Sequence, residues 1–186
     1  MRIISGKLKG KNLLFLKSST TRPLKDSVKE NIFNLLNHSK KINTNLKNSS
    51  VLDLYSGVGS FGLECISRGA KKVIFFENDL NALSILKKNL EKLSAVNQAE
   101  IINDSVENIN FLLKKQKFDI FFFDPPYIDN KFLLNLEIIK KNKNYSQKHI
   151  VIIHREENSN DDFKDTLNLL VKKKYGRSKI IIGEFN

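Results

Sequence analysis

Val51-Leu52-Asp53-Leu54-Tyr55-Ser56-Gly57-Val58-Gly59-Ser60-Phe61-Gly62 decides the fold: an apolar run, a turn built on glycines, then the opening of a helix. A strand that enters a helix through such a turn starts a nucleotide-binding α/β sheet, because Gly57 and Gly59 let the backbone approach a ligand where a Cβ would clash. Glu77 closes the next apolar run, where a carboxylate can take both hydroxyls of a ribose. The bare pattern fits a dinucleotide. A dinucleotide, however, sets its pyrophosphate on the helix N-terminus and wants a neutral approach, whereas Asp53 stands inside the loop, four residues before Gly57, with a carboxylate suited to an ammonium group. S-adenosylmethionine (SAM) carries an ammonium and a sulfonium and no phosphate, so Asp-x-x-x-Gly-x-Gly suits SAM better than NAD. Asp104, ending a third apolar run, is placed either to accept from the adenine amine or to cap a helix. Tyr55, Ser56, Asn78 and Ser105 flank these positions and complete the expected cofactor set.

Working outward, apolar runs alternate with helix-period segments from residue 50 to 186, the pattern of an α/β fold with a mostly parallel sheet covered on both faces. Strands are expected at 50–54, 73–77, 99–103, 118–123, 149–154 and 179–185, and helices near 60–69, 79–93, 106–115, 131–141 and 161–173. The first 49 residues follow another grammar. Arg2 to Ser5 and Asn12 to Phe15 flank Gly-Lys-Leu-Lys-Gly as a basic β-hairpin, Asp26 to Leu36 has helical spacing, and residues 37–50 read as a polar linker. The division is therefore a basic extension, 1–49, and a cofactor domain, 50–186.

Phe118-Asp119-Ile120-Phe121-Phe122-Phe123-Asp124-Pro125-Pro126-Tyr127 is a buried strand halted by two prolines. Proline cannot donate to a ladder, so the chain leaves the sheet at its carboxyl end, in the crevice of Gly57 and Glu77. Asp124 and the Pro125 carbonyl become adjacent acceptors, with the Tyr127 ring beyond. Methylation of an exocyclic amine needs such a set: two accepted N–H bonds draw the nitrogen toward a nucleophilic form while a ring stacks on the base.

A chain of 186 residues, 40% hydrophobic and 28% charged, makes one globular domain or one with a small appendage, not a disordered or collagen-like chain. No run approaches the about 18 apolar residues of a membrane span, and the start is too short in apolar residues for a signal peptide, so the expected compartment is the cytoplasm. The lone Cys65 allows no internal disulfide and reads as a small core residue, and His38 and His149 lack ligand-spaced neighbours, so no metal is expected. The net charge is +12, with 27 Lys and 22 Asn against 5 Arg, a bias that drift toward AT-rich codons would also produce. Its distribution says more: Lys and Arg outnumber acids 11 to 2 over residues 1–49 and 21 to 18 over the rest. That asymmetry favours an N-terminal face that meets phosphate.

The sequence resembles the RsmD family of small-subunit ribosomal RNA guanine methyltransferases, within the class I SAM-dependent enzymes. The resemblance rests on Met1 to Gly10, Thr21-Arg22-Pro23 to Asn34, Asp53 to Gly57, Ser67-Arg68-Gly69-Ala70, Asp124-Pro-Pro-Tyr127 and Tyr175-Gly176. It implies a Rossmann-like class I methyltransferase fold with a seven-stranded sheet, and a guanine amine in 16S rRNA as acceptor, within an assembled small-subunit particle. It also implies catalytic roles for Asp124, Pro125 and Tyr127, and RNA contacts by Arg22 and the hairpin residues Arg2, Lys7, Lys9 and Lys11. Many members read Glu-His after strand five; this chain reads Ile152-Ile153-His154-Arg155, so His154 is given no catalytic role, and a place near the flipped base or a phosphate contact by Arg155 stands open against a strand-end structural pair. Lys172-Lys173-Lys174 reads as a solvated helix end. A DNA or protein amide methyltransferase shares the Asp-Pro-Pro-Tyr chemistry, and an NAD-dependent oxidoreductase would leave that motif unexplained. A monomer is expected.

Overall fold

The computed structural model describes residues 1–16, 24–113, 116–126 and 128–186. After α1 (Asp26–His38) the chain runs β1 (Ser50–Leu54), α2 (Ser60–Ser67), β2 (Lys72–Glu77), α3 (Leu80–Lys92), β3 (Ala99–Asn103), α4 (Ile109–Leu112), β4 (Phe118–Phe123), α5 (Phe132–Lys141), β5 (Tyr145–Glu156), β6 (Leu167–Tyr175) and β7 (Ser178–Phe185). One seven-stranded sheet has the order β3-β2-β1-β4-β5-β7-β6. The pairs from β3 to β5 are parallel, and β7 is antiparallel to both β5 and β6. This is the Rossmann-like class I methyltransferase architecture.

The central strands are apolar at nearly every position because both faces are covered. Val51, Val73, Phe75, Ile120, Phe122, Ile150 and Ile152 join one core with α1, α2 and α3, and the alternate residues Leu52, Leu54, Ile74, Phe76, Phe121, Phe123, Val151 and Ile153 join a second with α4 and α5. Phe61 on α2 lies between Phe33 of α1 and Phe122 of β4, with ring centroids 5.3 and 4.0 Å away. Offset stacking of this kind adds about 0.5–1.5 kcal/mol per pair beyond area burial.

The first 49 residues share that first core through Ile3, Leu13, Val28, Ile32 and Phe33. The segment read as a linker adds Ile42 and Leu46 to it. The hairpin is present with a single bridge, Arg2 to Asn12, and it docks on a buried acid: Glu64 of α2 accepts from the Ile4 and Ser5 N–H groups at 2.7 and 2.9 Å and from Arg68 Nε at 2.7 Å. Lys29, fully buried, donates to the Arg2 carbonyl at 2.8 Å and lies 3.8 Å from Glu64. Burial lowers the Lys29 ammonium pKa, and Glu64 and Asp26 oppose that shift. The docking brings the hairpin tip to the far end of α2, where Lys7 N–H donates to the Ser67 carbonyl at 2.8 Å and Lys7 Nζ to Gln98 just ahead of β3.

Three expectations need correction. Residues 161–173 do not form a helix: Leu167–Tyr175 is the edge strand β6, and Lys172 to Lys174 are strand residues. The misreading has a cause. The ladder with β7 slips between Leu169 and Val171, so Leu167, Leu170 and Val171 are the residues turned inward, and the two-residue alternation of a strand is lost. The helix read at 106–115 is a 3-10 turn, Val106–Asn108, followed by the short α4. Strand five also runs longer than 149–154.

Candidate active site

Strand order reverses between β1 and β4, and the crevice of such a sheet opens at the carboxyl ends beside that switch. A cavity of about 500 Å³ lies there, lined by Asp53, Tyr55 and Ser56 from the end of β1, Glu77 and Asn78 from β2, Asp124 and Pro125 from β4, and Gly57. Met1, Phe15, Leu16 and Ile128 supply apolar walls.

Backbone donors hold the acids in place. Glu77 Oε2 accepts from Gly57 N–H at 2.6 Å, and its Oε1 accepts from the N–H groups of Asn78 and Asp79 at 2.9 Å each. Asp53 is 1% exposed and accepts from Gly62 N–H at 2.9 Å, in the first turn of α2, so one carboxylate oxygen serves an otherwise orphaned helix donor while the residue still lines the cavity. Burial raises the Asp53 carboxyl well above the usual carboxylate range; the Gly62 bond opposes that shift and the neighbouring charges of Asp124 and Glu77 add to it. The buried Ser56 Oγ has no hydrogen-bond partner among the described residues. Tyr55, at φ 59°, turns its hydroxyl to Asp129 at 3.0 Å, and burial, then Asp129, raises that hydroxyl's pKa.

Of the two loop glycines, only Gly57 meets open space: a Cβ there has nothing within 4 Å, whereas at Gly59, φ 85°, it would stand 2.5 Å from Leu86. Gly59 thus serves the packing of α2 on α3. Asp104 and Ser105 do not line the cavity. Asp104 Oδ1 takes Ser105 N–H and Asn108 Nδ2 at 2.6 and 2.7 Å, and Ser105 Oγ takes Glu107 N–H at 3.3 Å, which closes the turn after β3. Tyr127 and Arg22 lie outside the described residues. Arg2 and Lys11 are exposed on the hairpin, and Lys7 and Lys9 sit at its tip, away from the cavity.

The residue that sequence reasoning missed is His154. Phe123 pairs with Ile153 in the parallel ladder of β4 and β5, so Asp124 and His154 are the next pair in line, and His154 Nδ1 stands 2.7 Å from Asp124 Oδ1. With the proton on Nδ1, the ring donates to the carboxylate. Arg155 is not a phosphate contact: it is 1% exposed, donates to the Pro126 carbonyl at 3.0 Å, and is held by Asp161 and by the Phe132 ring 4.7 Å away. It clamps the Pro-Pro segment from behind.

Three acids and no Lys or Arg among the described lining residues make a cation site. A pyrophosphate would meet like charge there, and a sulfonium or ammonium opposite charge. With the sheet order and the Asp-Pro-Pro end of β4, this defines a class I methyltransferase. The chain belongs to the family described as "Conserved hypothetical protein 95", which it matches over residues 1–184, and is an RsmD-family methyltransferase. It is 42% identical over 131 residues to ribosomal RNA small subunit methyltransferase D of Haemophilus influenzae, covering 68% of this chain and 64% of that protein. The protein of the same name from Buchnera aphidicola subsp. Baizongia pistaciae is 30% identical over 181 residues, covering 97% and 88%. A solved Haemophilus influenzae structure, described as a candidate methylase, has a TM-score of 0.74 at 31% identity, covering 98% and 96%. These relatives imply a methyl donor of the SAM type, and the oxidoreductase alternative is set aside.

Proposed function

We propose that this protein transfers a methyl group from SAM to the exocyclic amine of a guanine in 16S rRNA, in the context of the small ribosomal subunit. The relatives' names support the RNA class. The observation that carries the chemistry is Asp124, oriented by His154 at the mouth of an acid-lined cavity.

Bound SAM supplies an electrophilic methyl group; the chain supplies alignment and charge. Glu77 takes the ribose hydroxyls, while Asp53 and the unpartnered Ser56 Oγ suit the ammonium and carboxylate end. Asp124 Oδ1 is engaged by His154, which leaves Oδ2 to accept one amine N–H, and the Pro125 carbonyl accepts the other. Two accepted bonds localise the nitrogen lone pair. After transfer the nitrogen is strongly acidic, and Asp124 takes its proton. Tyr127 stacks on the base by the sequence motif, and Arg2, Lys11 and Arg22 meet RNA phosphate.

The test is transfer of tritiated methyl from SAM to small subunits isolated from cells lacking this enzyme, with naked 16S RNA, DNA and protein acceptors in parallel. Labelled N2-methylguanosine from the subunit or naked 16S RNA is the expected product. Label confined to DNA or protein would overturn the substrate class, and label at another position of the base would overturn the guanine amine.

A further inference from the structure

We infer that a second groove, between α1 and the edge strand β6, is an RNA phosphate-binding channel beside the catalytic pair. The inference rests on the proposed RNA substrate. The groove, about 760 Å³, is lined by Asn31 and Asn34 of α1, Lys41 just past that helix, and Lys172, Lys173 and Tyr175 of β6. No Asp or Glu is among its described lining residues, although the chain holds 20 of them. The ammonium groups of Lys41 and Lys173 have no acidic partner within 4 Å among the described residues, whereas the nearby Lys174 is paired with Glu157 at 3.0 Å. Unpaired cations beside amide and hydroxyl donors, with no competing carboxylate, are a lining complementary to phosphate and ribose.

Register places this groove with respect to the chemistry. His154 pairs with Ile180 across β5 and β7, and Ile180 pairs with Lys173 across β7 and β6. The three residues form one row, so Lys173 lies two strand spacings, ~10 Å, from His154. Residues paired directly across a ladder point to the same face, so Lys173 projects on the α1 side of the sheet, where Ile180 packs and His154 meets the cavity, whereas Lys172, paired with Ile181 of the second core, projects to the other face. β6 runs parallel to β5, and its last residue, Tyr175, therefore ends at the carboxyl edge with Glu156. A backbone leaving the target base at Asp124 toward β6 passes along Lys173 and Tyr175. Lysines on a bare edge strand also deter strand pairing, but that function does not call for Lys41 or for amides on the facing helix.

The test compares the wild type with Lys41→Ala/Lys173→Ala and with a charge-matched control, Lys87→Ala/Lys88→Ala, whose positions are exposed and outside the groove. Binding of 16S RNA is measured across a salt series, and methyl transfer gives kcat and KM. The groove variant should raise Kd and KM ~10–100-fold and flatten the slope of log K against log salt by about 1.4, at ~0.7 per lost phosphate contact with single strands. Its kcat, SAM affinity and unfolding midpoint should match the wild type, and Lys→Arg at the same positions should restore binding. A groove variant indistinguishable from wild type, or a control that loses as much, would overturn the channel and leave the methylation reading standing. A wild type that methylates no RNA would overturn both.

Discussion

The two ends of α2 carry opposite charge, although the sequence around each is short and close by. At its start, beside the ends of β1, β2 and β4, the cavity holds Asp53, Glu77 and Asp124 and no Lys or Arg among the described lining residues. At its finish, about 12 Å away for eight helical residues, the hairpin tip presents Lys7 and Lys9. The first end is built for a cation and the second is basic but remote from the chemistry. Clustering of charge in a sequence segment therefore does not place that charge at the site; what places it is the docking of the segment, here by the buried Glu64.

The contrast can be broken most sharply at the acid end. Asp124→Ala should lower single-turnover methyl transfer about 10³-fold while calorimetry shows SAM affinity within a few-fold, since the carboxylate serves the acceptor. An equal loss of SAM binding would move Asp124 to the donor site. His154→Leu should cost ~10–100-fold in kcat, because a displaced Asp124 misaligns the amine. His154→Asn, whose amide can donate from near the Nδ1 position, should recover most of it. Equal losses in the two variants would reduce His154 to packing.

Asp53→Asn should weaken SAM binding about 10-fold and yet raise stability at neutral pH. The folded carboxyl lies above its unfolded value of about 3.9, so ionising it in the fold costs stability, and that cost develops as pH rises through about 4 toward the folded value. The gap in denaturation midpoint should thus widen in favour of Asp53→Asn between pH 4 and pH 7 without ligand. A constant gap would mean the carboxyl is not shifted. The smallest effect belongs to the basic end: Lys7→Ala/Lys9→Ala should change RNA affinity less than about two-fold, against the larger loss from the β6 groove. A comparable loss would bring the hairpin tip back to the RNA interface.

Much of the parallel half was legible. The bounds 50–54 and 118–123 match β1 and β4, because a strand buried on both faces is apolar nearly throughout and is cut off by glycine or proline, and 99–103 matches the half-exposed edge strand β3. At the antiparallel end β7 was read within one residue, as 179–185, but β6 was not, since it is exposed on one side and its bulge mimics helical spacing. Glu77, Asp124 and the glycine turn announced themselves by position at strand ends. His154 could not, because its role depends on the register of β4 against β5, which no local pattern encodes. The distance of Lys7 and Lys9 from the cavity was not legible either, since it follows from the docking of the hairpin on Glu64, which is wholly buried beneath it.

The central claim is that the carboxyl edge is a cation site for a methyl donor. The most direct measurement is calorimetric titration of the wild type with SAM and with NAD under the same conditions. The account predicts saturable SAM binding, weakened in Asp53→Asn and Glu77→Gln, and no heat from NAD. NAD binding as tight as SAM, or SAM binding indifferent to both acids, would contradict it.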